Sequence, residues 1–121
     1  MKSILLVEDD VFLIDIYTTK LKEVGFAVEV AQDGEECMRK IKEKSPDLLL
    51  LDIVLPSLNG WEILRQIKKD DKLKSLKIVI LSNLGEKEEI EKGINFGVSK
   101  YLVKAHYTPS EVVAEIEKIL E

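Results

Sequence analysis

Short apolar runs alternate with longer amphipathic segments along the chain, and this alternation limits the possible folds more than any other feature. The apolar runs are predicted to be strands and lie at residues 4–7, 27–30, 48–51, 78–81 and 101–103. The segments between them carry apolar residues three and four positions apart, which is typical of amphipathic helices. Strands that alternate with helices form a parallel sheet with helices on both faces, so we expect an α/β protein.

The composition of the runs indicates the order of the strands. The runs ILLV, LLLL and IVIL are apolar throughout, as the central strands of a parallel sheet are, whereas AVEV places Glu29 on one face and is typical of an edge strand. We therefore predict a doubly wound five-stranded parallel sheet in the order 2-1-3-4-5 with five helices, formed by residues 1–121 as a single domain.

The helical segments differ in how clearly the sequence marks them. The first ends at Gly25, a typical helix stop, and its apolar stripe consists of Leu13, Ile16, Tyr17, Leu21 and Val24. In the last, Thr108, Pro109 and Glu111 form the pattern of an N-cap, a first-turn proline and a capping box. The fourth is the weakest, because its run EKEEIEK is typical of a solvated helix face.

Composition and charge exclude several classes of protein. The 121 residues are 45% hydrophobic and 34% charged, as in a globular domain, and a net charge of -5 without a basic cluster argues against direct binding of nucleic acid. The single cysteine, Cys37, excludes an internal disulfide and is predicted to be a buried thiol. No secretory leader and no apolar stretch of membrane-spanning length is visible, so we expect a cytoplasmic protein that does not enter a membrane.

Polar residues follow four of the predicted strands at the points where these strands end. They are Glu8, Asp9 and Asp10 after the first strand, Asp52 after the third, Ser82 after the fourth and Lys104 after the fifth. Ligands of doubly wound sheets bind at this edge, and clustered carboxylates favour a cation, for which oxygen ligands suggest Mg²⁺. Asp52, the lone acid at its strand end, is then the natural nucleophile toward phosphorus, with Lys104 and Ser82 positioned to contact the oxygens of the transferred group.

Each acid taken alone has a simpler explanation, because Asp and Glu after a strand often cap the next helix or lie in a solvated turn. Asp10 is predicted to be such a cap. The combination of acids, a hydroxyl and an ammonium at four strand ends favours a functional site over a set of caps. Two other conspicuous residues have structural explanations, since His106 lacks partners for a metal site and is expected in an exposed loop, and Trp61 is expected to pack within a helix.

These residues resemble the motifs of one family, the receiver domains of two-component response regulators. The segment ILLVEDD is similar to the family's first strand with its acidic pair, Glu8 and Asp9, and LLLLDIVLPSLNG is similar to the phosphoacceptor strand with Pro56 and Gly60 after it. The segments IVILSN and YLVK resemble the strands that carry the switch hydroxyl, the switch aromatic residue and the lysine; here these are Ser82, Tyr101 and Lys104.

The resemblance implies that a histidine kinase or phosphotransfer protein transfers a phosphoryl group from phosphohistidine to Asp52. It implies a Mg²⁺ ion held by Asp9, Asp52 and the backbone carbonyl of Val54, with Glu8 contributing through water, and a phosphoryl oxygen paired with Lys104. Ser82 would then move toward the phosphoryl group and Tyr101 would turn inward. This change would alter the face formed by the fourth helix, fifth strand and fifth helix, which controls a downstream effector or an output domain.

Two positions depart from the family pattern. Asn83 stands where the family commonly has a small residue after the switch hydroxyl, which narrows the entrance to the site or adds a donor beside it. Ala105 stands where the family commonly has a proline joined by a cis peptide, and we predict a trans peptide here because a non-proline cis bond costs about 2.5–4 kcal/mol. The apolar side chains of Val54 and Leu84 are expected to flank the path of a hydrolytic water, which predicts slow loss of the phosphoryl group.

Three other functions are compatible with the predicted fold. A Mg²⁺-dependent phosphatase acting through an aspartyl-phosphate would need a second acid two residues after Asp52, where Val54 stands, and turnover of a phosphomonoester would distinguish it. A flavin or dinucleotide binder would need a phosphate-binding loop after the first strand, but VEDDVF lacks glycine and is acidic. A receiver-like scaffold that takes no phosphate is disfavoured, because the chain retains the family motifs quoted above. The segment after the fifth helix is too short for an output domain, so the sequence is either a stand-alone receiver or a fragment.

Overall fold

One sheet of five parallel strands runs through the structure, a computed structural model that describes residues 1–121. The strands are β1 (Ser3–Val7), β2 (Ala27–Ala31), β3 (Leu48–Leu51), β4 (Lys77–Ser82) and β5 (Lys100–Val103). The helices are α1 (Val11–Glu23), α2 (Gly34–Glu43), α3 (Gly60–Lys69), α4 (Lys87–Asn95) and α5 (Pro109–Leu120). The order β2-β1-β3-β4-β5 confirms the predicted doubly wound α/β fold.

The sheet separates two apolar cores. Leu49 and Leu51 pack with residues of α2 and α3 on one face, and Leu48 and Leu50 pack with residues of α1 and α5 on the other. All four leucines of the LLLL run are fully buried, as expected for the central strand of a parallel sheet. Glu29 is exposed on the edge strand β2, as the alternation in AVEV predicts.

Side-chain caps fix where four of the five helices begin. Asp10, Asp33, Asn59 and Thr108 each accept hydrogen bonds from backbone amides in the first turn of α1, α2, α3 and α5 respectively. Asp10 is therefore the predicted cap, and α5 has the predicted capping box. Helix α4 begins after Glu86 without a side-chain cap, which agrees with its weak signal in the sequence.

The predicted apolar stripe of α1 is partly wrong. Tyr17 and Leu21 are buried, but Ile16 and Val24 are exposed. Helix α1 packs on the sheet through a narrow face that Tyr17 and Leu21 fill, and Val24 lies at the C-cap, where the chain turns away through Gly25 at φ +98°. Four apolar residues of α1 and its cap therefore face solvent wholly or in part, which are Val11, Phe12, Ile16 and Val24.

The loop after β3 is tightly packed against the start of α2. A Cβ atom on Gly34 would lie only 2.1 Å from the carbonyl oxygen of Leu58, so no other residue fits there without movement of the loop. Within the loop, Ser57 adopts a positive φ of 62°, and the amide of Gly60 donates to the carbonyl of Ile53 at 2.8 Å. These contacts hold the loop that immediately follows Asp52.

The loop after β5 has only trans peptides, so the predicted trans bond between Lys104 and Ala105 is confirmed. The residues Lys104–His106 form a single turn of 3-10 helix before α5. None of the helices in the structure combines the length and the apolar character that crossing a membrane requires.

Candidate functional site

The register of the sheet brings the predicted site residues to one edge. Val7 is paired with Leu51, and the amide of Asp52 donates to the carbonyl of Val7 at 3.1 Å, so Glu8 and Asp52 are neighbours. On the other side, Ser82 is paired with Val103, which places Lys104 next to the end of β4. Residues far apart in sequence are therefore adjacent at the carboxyl ends of β1, β3, β4 and β5.

Lys104 lies between two buried carboxylates. Its Nζ is 2.7 Å from Oε1 of Glu8 and 2.8 Å from Oδ2 of Asp52. The side chains of all three residues are almost fully buried, with exposed fractions of 11% for Lys104, 2% for Glu8 and 8% for Asp52. Charged groups are costly to bury unless they are paired, and the two ion pairs of Lys104 offset the burial of Glu8 and Asp52.

Backbone amides orient the other oxygen of each carboxylate. The amides of Asp9 and Asp10 both donate to Oε2 of Glu8 at 3.2 Å. The amide of Val54 donates to Oδ1 of Asp52 at 3.1 Å. Both carboxylates are thus held in fixed orientations by the loops that follow β1 and β3.

The surroundings raise the pKa of both Glu8 and Lys104. Burial raises the pKa of Glu8, and this effect outweighs the opposing hydrogen bond and charge of Lys104. For Lys104, burial acts to lower the pKa, but the hydrogen bonds to Asp52 and Glu8 and their charges outweigh burial and raise it. Lys104 is therefore a permanent cation at neutral pH.

The same edge satisfies the chemical requirements of a divalent cation. One carboxylate oxygen from each of Glu8, Asp9 and Asp52 lies within 4.8 Å of the other two. Three carboxylates and the single ammonium of Lys104 leave an excess of two negative charges, and hard oxygen ligands of this kind suit Mg²⁺. The donor set therefore fits the predicted metal, with Asp9 as its exposed member.

Ser82 and Tyr101 are connected through the backbone of Leu84. Ser82 is fully buried, and its Oγ accepts a hydrogen bond from the amide of Leu84 at 3.3 Å. The hydroxyl of Tyr101 donates to the carbonyl of Leu84 at 2.5 Å. Tyr101 is thus outside the carboxylate cluster and half-buried, and both it and Ser82 are hydrogen-bonded to the backbone of Leu84.

Burial raises the pKa of the Tyr101 hydroxyl, and the charges of Glu89 and Asp52 raise it further. Glu89 is unusual, because its Oε2 is buried without any hydrogen-bond partner. Sequence reasoning missed this residue, since the run EKEEIEK is predicted to be a solvated face and gives no sign that one of its acids turns inward.

His106, in an exposed loop, and Cys37, a buried thiol, lie where the sequence predicts. His106 and Asn83 are exposed. Cys37 is fully buried on α2, and burial raises the pKa of its thiol to about 12. Val54 is 61% exposed and follows Asp52 by two residues.

Trp61 contacts residues of another helix, whereas the sequence predicts only packing within its own helix. Its ring stacks on Phe96, which follows α4, with centroids 6.0 Å apart and an angle of 19° between planes. The ammonium of Lys92 lies 4.5 Å from the centroid of the Trp61 ring, a cation–π contact. These contacts connect α3, which follows the Asp52 loop, directly to α4.

Comparison with known proteins identifies the family of the chain. The family described as response regulator receiver domain matches residues 4–117. The alkaline phosphatase synthesis transcriptional regulatory protein PhoP of Bacillus subtilis (strain 168) is 34% identical over 121 residues, covering 98% of this chain and 48% of PhoP. The chain therefore spans about half the length of PhoP and of several other curated relatives that it matches.

Two solved structures are similar over nearly the whole chain. The Mn(2+)-bound form of the response regulator Rcp1 has a TM-score of 0.89 and 27% identity, covering 99% of this chain and 94% of Rcp1. The phosphorylated cyanobacterial phytochrome response regulator RcpA has a TM-score of 0.83 and 31% identity, covering 98% of this chain and 90% of RcpA. The chain belongs to the response regulator receiver domain family of two-component signalling, whose general function is a phosphorylation-dependent switch.

Proposed function

We propose that Asp52 is the phosphoacceptor of this domain. The observation that carries the proposal is the state of its carboxylate, which is buried at the end of the central strand β3 with Oδ2 held by Lys104 and Oδ1 by the amide of Val54. A carboxylate held in a fixed orientation at the site edge is positioned to attack phosphorus in line. The phosphorylated state of the relative RcpA supports this assignment.

In the proposed reaction, a carboxylate oxygen of Asp52 attacks the phosphorus atom of a phosphohistidine on a histidine kinase or phosphotransfer protein. The new O–P bond forms as the N–P bond breaks, and the electron pair of the N–P bond returns to the imidazole of the donor. The ammonium of Lys104 is close enough to Asp52 to pair with an oxygen of the transferred group. Ser82, at the end of β4, donates its hydroxyl to a second oxygen.

Asp9 and Asp52 would hold Mg²⁺ directly, together with the carbonyl of Val54, and Glu8 would contribute through water. When bound, this ion would neutralise negative charge on the transferred phosphoryl group. The cluster of three carboxylates supports this role, as does the Mn(2+)-bound form of the relative Rcp1. Lys104 and the Val54 amide hold the Asp52 carboxylate that would contact the ion.

We further propose that phosphorylation changes the surface formed by α4, β5 and α5. The contacts from Ser82 through Leu84 to Tyr101 supply the connection, because movement of Ser82 toward a phosphoryl oxygen withdraws the acceptor of the Leu84 amide. The Leu84 carbonyl, to which the Tyr101 hydroxyl donates, is then no longer held in place, and Tyr101 turns inward. The altered surface controls an effector protein or an output domain. PhoP, which is about twice as long as this chain and named a transcriptional regulatory protein, supports the latter.

A phosphatase that turns over phosphomonoesters is not supported by the site. Such an enzyme needs an acid to protonate the leaving group, and the residue two positions after Asp52 is the exposed and apolar Val54. The domain is therefore expected to assist only its own phosphorylation and dephosphorylation.

The test is intact-mass measurement after incubation with acetyl phosphate and Mg²⁺. We expect one phosphoryl group on the wild-type chain, none on Asp52→Asn, and none on the wild type in EDTA. Asp47→Asn is a matched control, because Asp47 lies at the opposite end of the sheet and pairs with Ser3. Phosphate incorporation that survives Asp52→Asn would refute the assignment.

A further inference from the structure

Gly34, the first residue of α2, is buried against the loop between β3 and α3 (residues 52–59). Its φ is not in the left-handed region, so the backbone conformation does not require glycine there. A Cβ atom would overlap the carbonyl oxygen of Leu58 and would lie 2.5 Å from its Cβ and 2.8 Å from its carbonyl carbon. Glycine is needed at this position because the loop occupies the space of a side chain.

The loop contains a strained turn next to this contact. Ser57 has a φ of 62°, and the amide of Leu58 donates to the carbonyl of Pro56 at 2.9 Å. A three-residue turn with a positive φ is the rare and strained form of the γ-turn, and such a conformation persists only where surrounding contacts impose it. The packing of Leu58 on Gly34 is a contact that adjoins this turn.

The two ends of the loop are joined to each other without help from α2. The amide of Gly60 donates to the carbonyl of Ile53 at 2.8 Å, and a Cβ atom on Gly60 would lie 2.7 Å from Cα of Ile53. The side chain of Ile53 is buried in the core. Because both ends are fixed, any displacement of Leu58 has to be absorbed within residues 54–59.

Val54 connects this loop to the candidate site. Its amide donates to Oδ1 of Asp52 at 3.1 Å, and its carbonyl is the proposed backbone ligand of Mg²⁺. A shift of residues 54–57 would therefore release the Asp52 carboxylate and displace a metal ligand at the same time. Residues that hold metal ligands in place change metal affinity by about 10- to 100-fold when they are replaced, although they do not touch the ion.

We propose that Gly34 is a positioning residue for Mg²⁺ at the candidate site, because its lack of a side chain lets α2 hold the loop that carries Val54. This inference rests on the proposed role of Asp52 and Val54 as metal ligands. It assigns to α2, which supplies no ligand, a part in setting the affinity for the ion. Gly34→Ala would force Leu58 outward and let the turn at Ser57 relax. Val54 would then move away from Asp52.

The first experiment titrates the metal-free chain with Mg²⁺ in a calorimeter. Gly34→Ala is expected to bind the ion about tenfold more weakly than the wild type. Leu58→Ala leaves α2 intact and removes a side chain that packs against the core, so its affinity should fall in the same direction. Ile116→Val is the control for a general loss of stability, because Ile116 is buried in the core on the opposite face of the sheet. Its affinity should equal that of the wild type.

Hydrogen exchange of single backbone amides, measured by NMR without metal, provides a readout that does not depend on the ion. The amide of Val54 should exchange about tenfold faster in Gly34→Ala than in the wild type, because its bond to Asp52 would be lost. The amide of Asp52 donates to the carbonyl of Val7 in the sheet and should change much less. Ile116→Val should leave the ratio of these two exchange rates unchanged.

The outcomes separate this inference from the proposed function. If the wild type binds Mg²⁺ and takes a phosphoryl group that Asp52→Asn does not take, the proposed function stands. An unchanged Mg²⁺ affinity in Gly34→Ala then overturns the role of Gly34, as does an equal loss of affinity in Ile116→Val or an unchanged ratio of the two exchange rates. If Gly34→Ala does not fold, Leu58→Ala decides, and an unchanged affinity in that variant overturns the inference. If the wild type binds no Mg²⁺, the proposed metal site fails and the role of Gly34 fails with it.

Discussion

The Nζ atom of Lys104 lies 2.8 Å from Oδ2 of Asp52, although the two residues are 52 positions apart in the chain. Because Glu8 shares the same ammonium, removal of Lys104 leaves two adjacent buried carboxylates without a counterion. We predict that Lys104→Met lowers the free energy of unfolding by about 3 kcal/mol at neutral pH without divalent cations, as expected when one partner of a buried pair is removed. Urea denaturation measures this change.

Lys100→Met is the control for that variant. Lys100 pairs with Glu115 at 3.2 Å, but its side chain is 43% exposed, so its removal should cost less than about 1 kcal/mol. Adding Glu8→Gln to Lys104→Met should recover part of the loss, because only one unpaired carboxylate then remains. Equal losses of unfolding free energy in Lys104→Met and Lys100→Met would show that the buried ion pairs contribute no more to stability than the exposed pair.

Mg²⁺ is predicted to stabilise the folded chain by binding at the cluster of Glu8, Asp9 and Asp52. At a concentration about 100 times the dissociation constant, the free energy of unfolding should rise by about 2.7 kcal/mol. Asp9→Asn should weaken the apparent affinity by about tenfold or more, equivalent to at least 1.4 kcal/mol. Asp15→Asn, an exposed change on α1, should leave the affinity unchanged; the same weakening in both variants would indicate nonspecific screening.

Val54 is predicted to prolong the life of the phosphorylated state. Its exposed apolar side chain lies beside Asp52 and offers no hydrogen bond to an attacking water. Val54→Asn should speed loss of phosphate by about tenfold, which corresponds to 1.36 kcal/mol in the barrier. Intact-mass measurement over time, at matched Mg²⁺, follows the decay.

Val54→Ala separates volume from polarity in that experiment, since it removes bulk without adding a hydrogen-bonding group. If alanine accelerates the decay as much as asparagine does, exclusion of water rather than its orientation controls the lifetime. Leu84→Glu is expected to act in the same direction. Its result is harder to interpret, because Leu84 also packs against the core and its carbonyl accepts from Tyr101.

Glu89 is predicted to influence the titration of Tyr101. Burial is the largest cause of the raised pKa of Tyr101, and the charge of Glu89 raises it further. Glu89→Gln should therefore lower that pKa toward its ordinary value. A raised pKa in the folded state contributes stability below pH 10 that is lost as pH rises through the folded pKa, so this loss should be smaller in Glu89→Gln. Ultraviolet absorbance of tyrosinate, with Tyr17 and Tyr107 replaced by Phe, measures the pKa. Glu88→Gln, the exposed neighbour, should have a smaller effect.

The sequence predicted the sheet well because each strand carries its own signal. The continuous runs of β1, β3 and β4 and the alternating run of β2 correspond to their central and edge positions, and the residues that end them converge as expected. The error in α1 has a physical cause, since helical spacing marks a stripe of residues without showing how wide a face the sheet will cover. Ile16 satisfies the spacing but lies beyond that face.

The contacts around Tyr101 could not be predicted, because they depend on how α4 lies against β5. A glycine inside a charged helical segment is a weak signal by itself, and only the position of the Tyr101 ring shows why a side chain is excluded at Gly93. The inward-turned Glu89 is similar, since six charged residues in a run of seven give no indication of which one loses contact with water.

The stack of Trp61 on Phe96 gives the chain an optical reporter of its own. Trp61 is the only tryptophan, and it joins the helix after the Asp52 loop to the end of α4 beneath the ammonium of Lys92. Any movement of α4 relative to α3 changes the environment of this one indole. Its fluorescence emission would therefore follow the movement of α4 in real time in the unlabelled protein, while the mass of the same sample would record any phosphoryl group that the chain carries.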